Sequence, residues 1–258
     1  MEGTPMIFPD VSHHHPVVDY KKAKKYKVLI SKATEGTTYV DHSLKAFIEG
    51  CEKNGIDYWL YSFVRKGNEK AQAAFLVKTC KKLVGKHFAG YILDVESGSM
   101  PIDVANAVKW LSKKSEKIML YTGYQDYGKY QQVIKNRPHN CAWWEARYWK
   151  NDGRYYKGKN HEGVDLYQYT SAGSADGISG KCDMNITLIR DSWFQKGSIY
   201  YAKCTGATLI EALESIRVDS SFSNRKKIAK KNGIKLYMGT RAQNLKLYRL
   251  ALDGKLLK

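Results

Sequence analysis

Phe88-Ala-Gly-Tyr91-Ile-Leu-Asp94-Val-Glu96 is the stretch on which the fold turns. Its apolar run reads as a buried strand, and it ends on two acids separated by one apolar residue. A helical pattern follows over 102–114, and a further strand over 117–121. Strand, helix, strand at this spacing predicts parallel strands with crossover helices. The same rhythm runs back toward Met6. Ile7 and Phe8 lead into Pro9-Asp10, and residues 28–31 form a short apolar strand. Residues 43–54 have helical spacing, with Leu44, Phe47, Ile48 and Cys51 on one face and Gly55 as the stop. Residues 56–64 read as an aromatic-rich strand. Residues 68–84 read as a helix that turns Ala71, Ala74, Phe75 and Val77 inward and stops at Gly85.

Beyond a short helical stretch near 124–134 the rhythm changes. Strand-like pieces at 141–148, 164–170 and 181–186 follow with little helix between them. Five β-α units and three further strands make eight. That count predicts an α/β architecture, an irregular eight-stranded TIM-like barrel with missing helices. An open doubly wound sheet is the competing arrangement. No Gly-x-Gly-x-x-Gly follows the first strand, so a dinucleotide site has no support.

Gly197-Ser198 reads as a linker, dividing the chain into a domain at 6–196 and a module at 199–258. The module carries thirteen Lys and Arg against four acids, about three times the net charge per residue of what precedes it. Thr208-Leu-Ile-Glu211 and Thr240-Arg-Ala-Gln243 read as capping boxes. Leu209, Ile210, Leu213 and Ile216 line one helical face, Asn232-Gly233 ends a second helix carrying Ile228, and Leu245, Leu247 and Leu250 follow the last box. The expectation is a small, basic, three-helix module. Met1 to Pro5 are set apart from the fold, ahead of a second methionine at Met6.

The chain carries 43 Lys and Arg against 25 Asp and Glu, and this net charge of +18 points to a polyanionic partner: nucleic acid, an acidic membrane face or an acidic wall polymer. Nineteen tyrosines and six tryptophans suit stacking on bases or sugars alike. No apolar run of spanning length and no leader-type h-region occur, so neither membrane insertion nor a signal peptide is expected. Cys51, Cys80, Cys141, Cys182 and Cys204 are scattered without a Cys-x-x-Cys, against a disulfide framework or zinc ribbon. Cys141 lies near His139, but nothing marks it as an activated nucleophile. His13-His14-His15 invites a metal reading. Three consecutive histidines cannot all face one ion from a regular element, and no His-Glu-x-x-His pattern supports them, so no metal or cofactor is expected.

The acids carry the chemistry. Period-two geometry places Asp94 and Glu96 on one face with Cα atoms roughly 6.5–7 Å apart. Paired carboxylates split their pKa values, so one can hold a proton near neutral pH. Asp10 ends the first strand and Asp183 the last, and in a closed barrel those strands are neighbours. All four acids could then line one pocket. Around it, Tyr61, Phe63, Tyr121, Trp144, Tyr148, Tyr167 and Tyr169 lie near strand ends, where rings can stack on sugars or fill core. Arg147 suits a carboxylate or a surface salt bridge, and Glu35 a binding contact or a turn.

At these residues the chain resembles glycoside hydrolase family 25, the lysozymes of many phage lysins. The matching stretches, in order, are Asp10-Val-Ser12 with Val18-Asp19-Tyr20, Ser31-Lys-Ala-Thr-Glu-Gly36, Asp94-Val-Glu96, Tyr121-Thr-Gly123, Trp144-Glu-Ala-Arg-Tyr148, and Gln168-Tyr-Thr-Ser171 with Gly177-Ile-Ser-Gly-Lys-Cys-Asp183-Met-Asn185. His13-His-His-Pro16 departs from the family's polar run at that point. The resemblance implies a β5α3-β3 barrel and a muramidase that cuts the β-1,4 bond after N-acetylmuramic acid in peptidoglycan. It implies Glu96 as general acid, Asp94 and Asp183 assisting and Asp10 shaping the pocket's charge, with Gln168 among the substrate contacts. It further implies synthesis in the host cytoplasm, release to the wall and a wall-binding tail, which could also serve dimerisation. The competing readings are a basic nucleic-acid-binding protein and a lectin with inactive acids. Four strand-end carboxylates oppose a groove for a polyanion, so nucleic acid is not the expected partner.

Overall fold

The computed structural model describes residues 4–196, 201 and 203–258, and the chain divides into two compact units, up to Lys196 and from Gly197. The expected linker Gly197-Ser198 and Tyr200 lie outside the described residues.

The first unit runs β1 (Ile7–Val11), α1 (Tyr20–Ala23), β2 (Val28–Glu35), β3 (Tyr39–Val40), α2 (Leu44–Asn54), β4 (Asp57–Phe63), α3 (Glu69–Cys80), β5 (Phe88–Val95), α4 (Pro101–Leu111), β6 (Ile118–Gly123), α5 (Tyr127–Lys135), β7 (Cys141–Ala146), β8 (Leu166–Gly173) and β9 (Cys182–Thr187). The sheet order is β1-β9-β8-β7-β6-β5-β4-β2, and β1 also pairs with β2, so among the described residues eight strands close into a barrel. β3 is an added strand, antiparallel to the end of β2. Strands β2 and β4 to β8 run parallel, whereas β9 is antiparallel to both β8 and β1. The open doubly wound sheet is thereby excluded.

Period-two alternation sorts the strand residues into two layers. Leu29, Tyr58, Leu60, Tyr91, Leu93, Ile118 and Leu120 face outward and are covered by apolar helix faces. Helix α2 buries Leu44, Phe47, Ile48 and Cys51, as its spacing predicts, and ends on Gly55 at φ +69°, where a Cβ would be strained. Helix α3 is rotated relative to its apolar pattern. Ala71 is exposed, and the buried face is Glu69, Gln72, Ala73, Leu76 and Cys80. The cause is polar: the Gln72 amide donates to the carbonyls of Arg65 and Gly67, and its oxygen accepts from the Arg65 N–H. The loop's backbone needs outrank the burial of one alanine methyl.

The inward layer is divided. One end is closed by Phe8, Val28, Ile30, Trp59, Ala89, Ile92 and Met119, packed with Trp193 and Phe194 from the segment after β9. Trp59 stacks on Trp193 at 5.5 Å and donates its Nε1–H to the Phe194 carbonyl at 2.7 Å. Gly90 is required beside them, because a Cβ there would strike the Trp59 ring and the Lys117 carbonyl. The other end is polar and forms the site described below.

The second unit has α6 (Leu209–Glu214), α7 (Phe222–Lys231) and α8 (Arg241–Leu252). Leu209, Ala212, Leu213, Ile228, Tyr237, Leu247, Ala251 and Leu256 form its core. Ile210 and Leu245, expected inward, are 42% and 41% exposed, and Ala212 and Ala251 take the buried positions. Thr240 and Gln243 make a full capping box. At α6 the box is half formed: Thr208 accepts from the Glu211 N–H, but the Glu211 carboxylate reaches Ala207. Among the described residues no helix is long and apolar enough to cross a membrane.

Candidate active site

The closure of β9 on β1 does the decisive assembly. Asp10 and Asp183 are register partners across that antiparallel pair. Across the parallel strands Phe63, Asp94, Tyr121 and Trp144 follow one another at one level. Asp10 and Asp94 are buried, Asp183 is partly buried, and Glu96, one residue past β5, is exposed. The four expected acids therefore meet at one barrel mouth, the end toward which the parallel strands run.

Their environments differ. The Asp10 carboxylate accepts from Gln168 Nε2 and Asn185 Nδ2, each at 2.8 Å. Burial and the neighbouring Asp183 charge nevertheless push its pKa well above the usual range, against those two hydrogen bonds. Asp94 is also raised well above the usual range, first by burial, then by the Glu96 charge and a side-chain hydrogen bond with Glu96. Burial makes the Asp94 carboxyl costly to ionise, and its Oδ1 is buried without a hydrogen-bond partner among the described residues. Asp183 is pushed up to about 6 by burial and then by Glu96. Lys32 is the cation that opposes the rise at Asp94.

Polar neighbours fix this arrangement. Gln168 Oε1 accepts from Tyr121 at 2.9 Å and from Tyr148 at 2.7 Å, so its Nε2 must face Asp10. Asn185 is held in the same way, accepting from Trp144 Nε1 at 2.9 Å while donating to Asp10. Tyr61 is partly exposed, and its hydroxyl lies in the field of Asp94, Asp10, Asp183 and Asp41. Phe63 sits at the rim with Lys32 and Arg65 over its ring, at 5.3 and 4.7 Å.

Several expected contacts are placed elsewhere. Trp144 is 2% exposed and lies beneath Asn185, with Tyr121 edge-on at 4.6 Å, so it is a support and not a sugar platform. Tyr167 and Tyr169 belong to the outer core. Arg147 points out of the barrel, stacked over Tyr124 at 3.7 Å and bonded to the Lys159 carbonyl. Glu35 is engaged by Lys32 and Arg65, and the Lys32 hydrogen bond holds its carboxyl below the usual range. All five cysteines are buried. The residues that sequence reasoning missed are Asn185 and Lys32. Both stand inside quoted motifs, two residues from Asp183 and next to Ser31, and period two alone would have turned Asn185 toward the acids.

Comparison with known proteins bears on the whole unit. The family described as Glycosyl hydrolases family 25 matches residues 9–178, well over half of the chain. The chain belongs to this family. Within family 25 it is 25% identical over 178 residues to an autolytic lysozyme of Clostridium acetobutylicum, which covers 65% of this chain and 51% of that protein. The chain thus spans about half the length of that curated relative. Among solved structures, the catalytic domain of an endolysin from a bacteriophage of Listeria monocytogenes aligns with a TM-score of 0.66 at 24% identity, over 77% of this chain and 100% of that one. A family 25 glycosyl hydrolase from Bacillus anthracis aligns with a TM-score of 0.58 at 20% identity, over 75% of this chain and 94% of that one. These structures share the family 25 barrel.

Proposed function

We propose that residues 6–196 are a muramidase cleaving the β-1,4 bond between N-acetylmuramic acid and N-acetylglucosamine in bacterial peptidoglycan. The observation that carries this reading is the meeting of four acids at one mouth, with buried Asp94 two residues from exposed Glu96 and Asp10 paired with Asp183 across β1 and β9. Glycoside cleavage needs a proton on the leaving oxygen and stabilisation of a cationic sugar carbon. Glu96 is the acid that a sugar can reach: it gives its proton to the leaving oxygen and takes one back from the water that then attacks the sugar carbon. Asp183 and Asp94 orient and polarise the substrate's own 2-acetamido group, which meets the cation. Asp10, anchored by two amide donors, sets the local field. Tyr61, Phe63 and Tyr148 present the rim to sugar rings. A turbidity assay on purified walls tests the reading: turbidity falls and new reducing ends form. New amino termini in place of reducing ends would mean a peptidase or amidase and sink it.

The names of the relatives, an autolytic lysozyme and an endolysin, support a lytic enzyme made inside a cell and acting on its wall. In the same proposal, residues 199–258 hold the enzyme on anionic wall polymers through their excess of thirteen basic over four acidic side chains. Tyr201 and Tyr248 are partly exposed and suit contact with the wall, whereas Tyr237 is buried with its hydroxyl bonded to Asn244. A chain truncated before Ile199 should keep activity on soluble glycan fragments and show reduced lysis of whole cells, most clearly at low salt. Equal lysis by both chains would remove the targeting role.

A further inference from the structure

The histidine run at 13–15 is not used by the proposed glycosidase chemistry. The consecutive triple is not what the fold assembles. His13 lies two residues beyond β1, and Asp41-His42 directly follow β3, whose strand pairs with the end of β2. The fold thus brings two separate loops together at the mouth's rim. One nitrogen from each of His13 and His42 and one oxygen of Asp41 lie within 4.8 Å of one another. The His13 and His42 rings are 4.6 Å apart, and the His14 ring is 3.8 Å from His13.

We infer that His13, Asp41 and His42 form a binding site for a divalent transition-metal ion, with zinc the best fit. Two imidazoles and a carboxylate are the ligand set that suits zinc, copper or nickel, and not magnesium or calcium. The set is anchored at its centre. Asp41 is 1% exposed, and one of its oxygens accepts from the Ser43 N–H at 2.9 Å and from the Ser43 hydroxyl at 2.6 Å. Its other oxygen accepts from His13 Nδ1 at 2.7 Å. An ion takes the place of the proton in that contact, and the His13 ring carries its proton on Nε2 instead. Zinc bonds of about 2.0–2.1 Å place ligand atoms about 3.3 Å apart. The exposed His42 closes the remaining gap by rotation about its side-chain bonds, and water completes the coordination. The ion would tie the loop after β1 to the loop before α2. This site stands independently of the proposed muramidase, since neither histidine touches the four acids' hydrogen-bond network.

The test is calorimetric titration of the full chain with zinc chloride, alongside His42→Ala and His15→Ala. His42 is exposed, so its replacement leaves folding intact, whereas Asp41→Asn would disturb the start of α2. The expected result is one zinc per chain, affinity reduced at least about tenfold in His42→Ala, and little change in His15→Ala. Zinc should also raise the thermal midpoint of the native chain and not that of His42→Ala. Absence of stoichiometric binding overturns the site. So does binding that survives His42→Ala and falls in His15→Ala, because the consecutive histidines would then be acting as a flexible chelating run.

Discussion

The two ends of the barrel interior are built from the same strands and obey opposite rules. At the closed end, β1, β4 and β5 contribute Phe8, Trp59 and Ile92, packed dry against Trp193 and Phe194, and the Trp59 indole finds its acceptor. At the open end, the same three strands contribute Asp10, Tyr61 and Asp94, two of them carboxyls that burial makes costly to ionise. The closed end stabilises the fold; the open end holds charge that folding disfavours. A barrel tolerates the second because the first is fixed a few residues further along each strand. Substitutions at the two ends should therefore separate activity from stability.

The largest separation is expected at Glu96→Gln. The change is isosteric at an exposed position, so the unfolding midpoint should stay near that of the parent. Loss of a general acid typically costs about 10²–10⁴-fold, and lytic turnover should fall by that order. A Glu96→Gln protein that lyses walls at near-normal rates would sink the acid assignment.

The converse change is Trp59→Ala. It removes a fully buried indole, its stacking on Trp193 and a satisfied hydrogen bond. A truncation of this kind costs about 3–5 kcal/mol. Denaturant unfolding should show that loss, while turnover per folded molecule at low temperature stays close to the parent's. If turnover collapses as far as in Glu96→Gln, the two ends are not separable.

This closed end was the less legible part of the sequence. Apolar runs and Gly55 mark the strands and helices, and β5 falls at Phe88–Val95 as its composition predicts. The acids were legible as well, because strand ends and closure of first on last strand bring Asp10 to Asp183 without knowledge of side-chain packing. Trp193 and Phe194 were not, since they follow the last strand in a short turn that has no period. The inward face of α3 was misread for a related reason: Gln72 is buried by backbone hydrogen bonds, which hydrophobic periodicity cannot register. Arg147 and Trp144 stand near one strand end, and only the sense of the pleat decides that one faces out and the other lies under the floor of the site.

A smaller effect is expected from Asp183→Asn, with a defined pH dependence. An unfolded Asp titrates near about 3.9. Folded Asp183, raised to about 6 by burial and Glu96, binds its proton more tightly. Between those values the folded state holds more protons than the unfolded one, so this group's contribution to stability falls as pH rises through the window. Asp183→Asn removes that penalty. Stability should rise by on the order of 1–2 kcal/mol near neutral pH and show no comparable gain near pH 4. Activity should fall at the same time. An equal gain at both pH values would mean that packing, not charge, explains it.

The smallest effect tests the polar support of the open end. Gln168 Oε1 accepts from both Tyr121 and Tyr148, and that pair of hydrogen bonds is what turns the amide nitrogen to Asp10. Tyr121 is buried and delivers its hydrogen bond in the packed layer, whereas Tyr148 is 39% exposed and delivers its own from the rim. Tyr148→Phe leaves Gln168 one donor on its oxygen and its geometry intact. One neutral hydrogen bond is worth about 0.5–1.5 kcal/mol, so kcat/KM should fall by about two- to tenfold. If Tyr148 acts on the substrate through its ring alone, Tyr148→Phe is silent and Tyr148→Ala raises KM. If it acts through Gln168, the loss should be in kcat, and Tyr148→Ala should add little beyond Tyr148→Phe. A rise in KM with kcat unchanged in Tyr148→Phe would place its hydroxyl on the sugar and not in the support of Asp10.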